Sequence, residues 1–203
     1  MALKMVIGLL AKPGGGKGTF TGLLRDVCYE HGYRPNIGGP RFSDPLRKAA
    51  DMFGILDSRE NLQKLAQALN GLKEGAVANG MGRMLEQDRN EIKIADGVRW
   101  LYDEKMIRSL DGIMVYVNTD QKLRFERVRA RIQENTGDQQ KTWEQFLKED
   151  EAENDAELAD TLDRYKKIRR KHPQYVFHFG ASLPTHEDWK QRLEALQAGV
   201  ERW

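Results

Sequence analysis

The strongest candidate for chemistry in this chain is a glycine-rich stretch near its beginning, called the glycine loop below. It reads A-K-P-G-G-G-K-G-T from Ala11 to Thr19. Glycines there let successive backbone N–H groups turn toward one anion, and Lys17 adds a positive charge. The pattern predicts a cradle for a polyphosphate, built by Gly14, Gly15, Gly16, Lys17, Gly18 and Thr19. The alternative is a glycine-rich turn with a chance lysine.

The sequence on either side of the loop favours the cradle. The apolar run from Met5 to Ala11 is short and partly β-branched, as in a buried parallel strand. After the loop, apolar residues recur at helical spacing from Phe20 to Cys28, and His31-Gly32 provides a stop. Strand, glycine-rich loop and helix in this order form the usual context of a phosphate-binding loop.

The rest of the sequence alternates between short apolar runs and helical patterns. Further strands are predicted within 33–39, 92–95, 113–117 and 175–179. Helices are predicted from about Leu46, from Ser58 to near Gly71, and around 104–110, 121–133, 143–172 and 189–203. The segment 71–90, with four glycines, predicts a mobile or broken helical region. This alternation predicts the α/β class.

Composition limits the function classes. The 203 residues suit one domain, and 33 Lys and Arg against 31 Asp and Glu leave a net charge of +2, which does not favour binding nucleic acid. Cys28 is the only cysteine, so no disulfide framework is expected, and the N-terminal apolar run is too short for a membrane span. We expect a cytoplasmic monomer or homodimer whose partners are small nucleotides, with neither nucleic acid nor membrane bound.

Two further sets of polar residues could act on a phosphate. Asp96 ends a predicted strand, and ligands of parallel sheets bind at that edge. A type I turn starting at Asp96 is an alternative that could hold as well. Arg124, Arg127 and Arg131 share one face of a predicted helix. A solvent-facing charged stripe is the alternative for them.

The G-K-G-T ending of the loop resembles that of adenylate kinases and their relatives, although Ala11 replaces the usual first glycine. Nearly the whole chain is similar to the P-loop nucleoside monophosphate kinase group, including phage-type deoxynucleoside monophosphate kinases and archaeal relatives. The resemblance implies a three-layer P-loop fold in which helices flank a parallel sheet of about five strands. It also implies a single domain with a core at 1–40, 91–123 and 173–203, a helical acceptor-binding insertion at about 41–90, and a lid with a charged helix at about 124–172.

The resemblance also implies roles for individual residues. In F-S-D-P-L-R, Arg47 would hold the acceptor phosphate with help from Arg41, while Ser43 and Asp44 would either cap a helix or contact the acceptor sugar. The run I-K-I-A-D-G-V-R resembles the D-G-x-P-R signature of adenylate kinases with one residue fewer. By this match, Asp96 would orient the water shell of Mg²⁺ and Arg99 would contact a phosphate.

Two later segments complete the resemblance. Arg127 and Arg131 match lid arginines that close over the transferring phosphoryl group, and Thr19 would contact the α-phosphate. Segment 142–153 is similar to a segment of the archaeal relatives that reads F-L-x-R-D-x-x-E, which Asp150 and Glu153 match. Glu149 replaces its arginine, so no catalytic role is carried over from this segment.

The implied activity is transfer of the γ-phosphoryl group from ATP, with Mg²⁺, to a nucleoside or deoxynucleoside monophosphate. One alternative is a kinase of another small acceptor such as dephospho-coenzyme A, although those kinases usually have a loop ending G-K-S-T. The other is a non-catalytic, nucleotide-gated regulatory module.

Overall fold

Strands and helices alternate along the chain in the computed structural model. The structure describes residues 5–130, 141–152 and 176–180, the last of these by backbone only. The strands are β1 (Met5–Leu10), β2 (Ile37–Gly38), β3 (Ile92–Asp96), β4 (Ile113–Asn118) and β5 (Val176–Gly180). The helices are α1 (Lys17–Glu30), α2 (Asp44–Met52), α3 (Arg59–Leu72), α4 (Ala76–Gln87), α5 (Leu101–Ser109), α6 (Gln121–Arg129) and α7 (Trp143–Ala152).

The strands follow the order β2-β3-β1-β4-β5 in the sheet. β1 pairs in parallel with β3, with Ile7 opposite Ile94, and β2 pairs in parallel with β3, with Ile37 opposite Ile92. The predicted α/β class, with a parallel sheet and flanking helices, is therefore confirmed. In this register Leu9 lies opposite Asp96, so β1 and β3 end at the same edge of the sheet.

The chain divides into two compact units, with boundaries inside β1 and inside β4. Among the described residues, the first unit comprises 5–9 and 35–114, and the second comprises 10–34, 115–130, 141–152 and 176–180. The expectation of a single domain stays a prediction.

The first unit contains a small helical core. Leu46 and Ala50 of α2, Leu62 and Ala66 of α3, and Val77 of α4 form one buried cluster. α3 begins as predicted, because the Ser58 hydroxyl accepts a hydrogen bond from the Asn61 amide at 3.2 Å. Burial of apolar faces on one another holds these three short helices together.

The prediction of a broken helix across 71–90 is wrong over most of that segment. α4 is continuous from Ala76 to Gln87 although it contains Gly80 and Gly82. A Cβ on Gly80 would lie 3.2 Å from the Pro45 Cβ, and one on Gly82 would lie 3.4 Å from the Met106 Cγ. These glycines allow close packing of neighbouring side chains, which outweighs their low helix propensity.

The second unit contains the glycine loop, α1, the end of β4, α6 and α7. Phe20, Leu23, Leu24, Val27 and Cys28 form the buried face of α1, as their spacing predicts. The rings of Phe125, Trp143 and Phe146, whose centroids lie 5.1 to 5.7 Å apart, pack α6 against α7. α6 ends at Arg129, earlier than predicted.

Several predictions fall outside the described residues: Arg131, the part of the predicted charged helix beyond residue 152, and the closing helix at 189–203. No helix in the described parts of the chain is long and apolar enough to cross a membrane.

Candidate functional site

Two glycines of the glycine loop adopt backbone conformations that other residues rarely adopt. The φ angle is +73° at Gly14 and +91° at Gly16. A Cβ on Gly14 would lie 2.5 Å from the carbonyl oxygen of Arg124, and one on Gly16 would lie 3.1 Å from Nη1 of Arg127. Both positions therefore need glycine for conformation, and Gly14 also needs it for space.

Two hydrogen bonds at Gly15 fix the shape of the loop. Its amide donates to the Lys12 carbonyl oxygen at 2.9 Å, which closes a turn. Its carbonyl oxygen accepts a hydrogen bond from the buried hydroxyl of Thr119 at 2.7 Å. Thr119 directly follows β4, so the end of that strand supports the loop. The sequence analysis missed this residue.

The loop leads directly into the N-terminus of α1. Gly16 is the N-cap and has no side chain to satisfy the first-turn amides of the helix. Lys17 is the first helical residue, and Gly18 and Thr19 after it are exposed. The positive end of the helix dipole and the adjacent lysine therefore favour an anion at this place. Ala11 causes no strain, since Asp111 is the only non-glycine residue with positive φ in the described chain.

Arg127 of α6 lies beside the same loop. Its Nη1 donates to the Gly14 carbonyl oxygen over 3.5 Å, a long hydrogen bond. The side chain is half-buried, and the same nitrogen would meet a Cβ on Gly16. The structure therefore brings Arg127 together with the predicted cradle, while Arg131 lies outside the described residues.

Arg124 does not share the environment of Arg127, which corrects the prediction of one basic helix face. It is 4% exposed, and its two terminal nitrogens donate to the two carboxylate oxygens of Asp150 at 2.6 and 2.9 Å. Asp150 also accepts hydrogen bonds from Gln121 at 3.0 Å and from Lys12 at 3.3 Å. We call Lys12, Gln121, Arg124 and Asp150 the Asp150 cluster.

The partners of Asp150 stabilise its ionised form. Burial alone raises the pKa of this carboxyl, but the hydrogen bonds and charge of Arg124, the charge of Lys12 and the hydrogen bond from Gln121 lower it below its ordinary value. The carboxylate therefore stays charged at neutral pH and compensates two nearby cations. The sequence analysis assigned it no role.

In the first unit, Arg41 lies against Asp96. The Arg41 Nε lies 4.0 Å from the Asp96 Oδ2, and residue 41 forms an isolated parallel bridge with residue 96. After β3 the chain turns at Gly97, where φ is +92°. This angle excludes a type I turn starting at Asp96, because its second residue needs a negative φ.

Arg47 and its neighbours form a second polar group in this unit. The exposed Arg47 guanidinium forms an ion pair with Asp57, in the segment between α2 and α3. Ser43 is the N-cap of α2, but its side chain makes no capping hydrogen bond. The Asp44 carboxylate accepts instead from the Arg41 amide at 2.7 Å. The predicted capping role of Ser43 is therefore wrong.

Arg99 lies three residues after Asp96 and is exposed. Its backbone amide donates to the Asp103 carboxylate at 2.9 Å, as does the Trp100 amide at 3.0 Å. This carboxylate fixes the start of α5 and with it the backbone that carries Arg99.

The described residues fit Mg²⁺ only as an ion that arrives with a nucleotide. They contain no group of three or more His, Cys, Asp or Glu side chains arranged to hold a metal ion. Asp96 offers one carboxylate, beside Arg41. Mg²⁺ commonly takes one or two carboxylates, keeps several waters and binds substrate phosphates, so a single carboxylate is compatible with an ion held mainly by a nucleotide.

Each unit thus brings together part of the predicted set. The second unit gathers Gly14, Gly15, Gly16, Lys17, Gly18, Thr19 and Arg127 at one loop, and the first gathers Arg41, Ser43, Asp44 and Asp96 around the end of β3 and the start of α2. Whether both sets serve one site stays a prediction.

Comparison with known proteins gives similarity in structure only. No protein-family model and no curated protein matches the chain. The solved structure of TT1252 from Thermus thermophilus is 20% identical over 96% of this chain and 97% of its own, with a TM-score of 0.56. A shikimate kinase from Bacteroides thetaiotaomicron is 18% identical over 97% of this chain and 98% of its own, with a TM-score of 0.47. A gluconokinase from Sinorhizobium meliloti is 12% identical over 100% of this chain and 94% of its own, also with a TM-score of 0.47. The likeness to TT1252 shows that this chain shares the fold of that protein.

Proposed function

We propose that this protein is an ATP-dependent phosphotransferase whose acceptor is a nucleoside or deoxynucleoside monophosphate. The observation that carries the proposal is the geometry of the glycine loop. Gly14 and Gly16 have positive φ, and Lys17 opens α1 directly after them. Such a loop at a helix N-terminus is suited to the polyphosphate tail of a nucleotide.

In this proposal the loop binds the donor. Residues 14–19 hold the phosphates of ATP, and the Lys17 ammonium neutralises part of the charge of the β- and γ-phosphates. Arg127 lies beside Gly14 and Gly16, which supports assigning it to the transferring group. Negative charge on the equatorial oxygens of the transition state would be stabilised by this guanidinium, with Arg131 as a second proposed contributor.

The acceptor side of the proposal rests on the first unit. Arg47 and Arg41 are assigned to the acceptor phosphate, with Ser43 and Asp44 beside them and Arg99 as a further phosphate contact. Asp44 already positions the Arg41 backbone through its 2.7 Å hydrogen bond. The failure of Ser43 to cap α2 is compatible with an acceptor contact by its hydroxyl.

Phosphoryl transfer does not require the protein to form covalent intermediates. Its transition state is loose, so alignment and charge neutralisation supply most of the rate. Mg²⁺ would arrive with ATP and neutralise phosphate charge, and Asp96 is proposed to orient its waters. This division of work fits the residues present, which are mainly arginines, a lysine and backbone amides.

An acceptor panel tests the proposal. ATP and Mg²⁺ are incubated with each ribo- and deoxynucleoside monophosphate and with dephospho-coenzyme A, and ADP formation that depends on the acceptor is measured. We expect activity with at least one monophosphate and loss of that activity in Lys17→Ala, whose circular dichroism should be unchanged. Lys122→Met, which removes an exposed lysine from α6, is the matched control. Activity with dephospho-coenzyme A alone, or ATP binding without transfer, would contradict the proposed acceptor or the proposed reaction.

A further inference from the structure

The Asp150 cluster joins three segments of the second unit that are distant in sequence. Lys12 belongs to the glycine loop, Gln121 and Arg124 to α6, and Asp150 to α7. Arg124 and Asp150 are 4% and 5% exposed. A fully hydrogen-bonded carboxylate with two cationic partners in such a place holds those partners in one geometry.

Lys12 and Arg124 contact Asp150 through their side chains and the loop glycines through their backbones. The Lys12 carbonyl oxygen accepts the Gly15 amide at 2.9 Å. The Arg124 backbone lies so close to Gly14 that a Cβ there would be 2.5 Å from its carbonyl oxygen. A displacement of either backbone would therefore move the loop, and Asp150 restrains both residues through their side chains.

The charges suggest that Lys12 does not act as a second phosphate-binding lysine. Its ammonium lies 3.3 Å from the Asp150 carboxylate, and its side chain is 18% exposed. Asp150 has two cationic partners, so the cluster has no excess negative charge to repel a nucleotide. Lys12 can thus secure the loop while Lys17 remains the lysine that meets the anion.

From these contacts we propose that Asp150 is a positioning residue for nucleotide binding, acting through Lys12 and Arg124 to hold the glycine loop in its phosphate-binding shape. The effect on nucleotide rests on the proposed function. The effect on the loop itself does not, so the two are measured separately.

The first measurement is amide hydrogen exchange of a peptide covering the glycine loop, without nucleotide. Lys12→Met keeps the Arg124–Asp150 pair and so keeps the fold. We expect its loop amides to exchange about fivefold faster than those of the wild type, as loss of roughly 1 kcal/mol of restraint predicts. Lys122→Met is the control for loss of a lysine. Unchanged exchange in Lys12→Met would overturn the positioning role even in a protein that binds no ATP.

The second measurement is the dissociation constant for ATP in wild type, Lys12→Met, Asp150→Asn and the double variant, at a temperature where all are folded. We expect each single variant to bind more weakly, about fivefold for Lys12→Met. The double variant should bind about as weakly as Asp150→Asn alone, because both changes break one contact. KM for ATP should rise more than kcat falls. Glu149→Gln, an exposed neighbour on α7, is the control for loss of a carboxylate.

The outcomes separate the possible explanations. Tighter binding in Asp150→Asn would mean that the released Lys12 binds phosphate itself, which overturns the proposal. Additive losses, or lower stability with unchanged ATP affinity, would also overturn it. Absence of ATP binding by the wild type would refute the proposed function, and hydrogen exchange would then decide the positioning role.

Discussion

Gly14 combines a positive φ with direct contact to the Arg124 backbone, so replacing it should be costly. Gly14→Ala places a methyl group 2.5 Å from a carbonyl oxygen at a φ of +73°. We expect the free energy of unfolding to fall by about 1–3 kcal/mol and ATP affinity to fall with it. Urea denaturation and ATP titration measure the two effects.

Gly18→Ala serves as the stability control for this prediction. A Cβ at Gly18 meets nothing within 4 Å, and its φ is not positive. Its unfolding free energy should equal or exceed that of the wild type, by up to about 1 kcal/mol. Equal stability of the two alanine variants would show that the clash at Gly14 is relieved without cost.

Asp150 predicts a pH dependence of stability. Because its folded-state pKa is lowered, the charged form contributes stability above the ordinary aspartate pKa of about 3.9, and this contribution is lost as the pH falls through the lower folded-state pKa. We expect the difference in unfolding free energy between wild type and Asp150→Asn to shrink on acidification below about pH 4. Urea titrations across that range measure it, and a constant difference would contradict the prediction.

There is a physical difference between the site residues that could be predicted from the sequence and those that could not. The unusual backbone conformation of Gly14 and Gly16 could be predicted because absence of a side chain is a local property. Thr119 and Gly15 are 104 residues apart, and Lys12 and Asp150 are 138 apart. A hydrogen bond over such separations exists only after folding, so neither partner signals it locally.

At the scale of elements, hydrophobic spacing gave most helices and strands to within a few residues. The prediction for the α4 segment was wrong because it counted only the low helix propensity of glycine, which is a local property. The close packing that Gly80 and Gly82 allow against Pro45 and Met106 exists only in the folded protein. The basic face of α6 was misread for a related reason, because Arg124 lies on that face but is buried against α7. Periodicity shows which residues share a face and does not show what covers them.

The ion pair between Arg47 of α2 and Asp57, which precedes α3, leads to a prediction about the acceptor. Arg47, assigned to the acceptor phosphate, is paired with Asp57, so an acceptor must compete with that carboxylate. We expect Asp57→Asn to lower KM for the acceptor by about two- to fivefold, the range that an exposed ion pair supports. Steady-state kinetics with varied acceptor measure it.

Glu60→Gln is the matched control for Asp57→Asn, because Glu60 forms an exposed ion pair with Lys64 on α3. Its KM should match that of the wild type. A raised KM in Asp57→Asn would mean that Asp57 orients Arg47 for the acceptor instead of competing with it.

At the scale of the whole molecule, ligand binding should raise the free energy of unfolding. A ligand that binds only the folded protein raises its unfolding free energy, by about 2.7 kcal/mol at a hundredfold excess over the dissociation constant. We expect ATP to raise the thermal midpoint of the wild type and not that of Lys17→Ala. Differential scanning calorimetry measures both.

Adenosine is the control ligand, because the proposal assigns the loop to phosphates and not to the base. It should leave the midpoint unchanged at the concentration used for ATP. Equal stabilisation by adenosine and ATP would show that the phosphate tail is not what the protein recognises. With a net charge of only +2, the chain offers no general attraction for anions that could mimic the effect.

The position of Cys28 also provides a built-in reporter. It is the only thiol in the sequence, it is buried on α1, and burial raises the pKa of its sulfhydryl. A thiol reagent can modify it only when α1 separates from its neighbours, since the reactive thiolate needs both exposure and deprotonation. The labelling rate of Cys28 in the unaltered protein therefore measures how often α1, the helix that follows the glycine loop, opens.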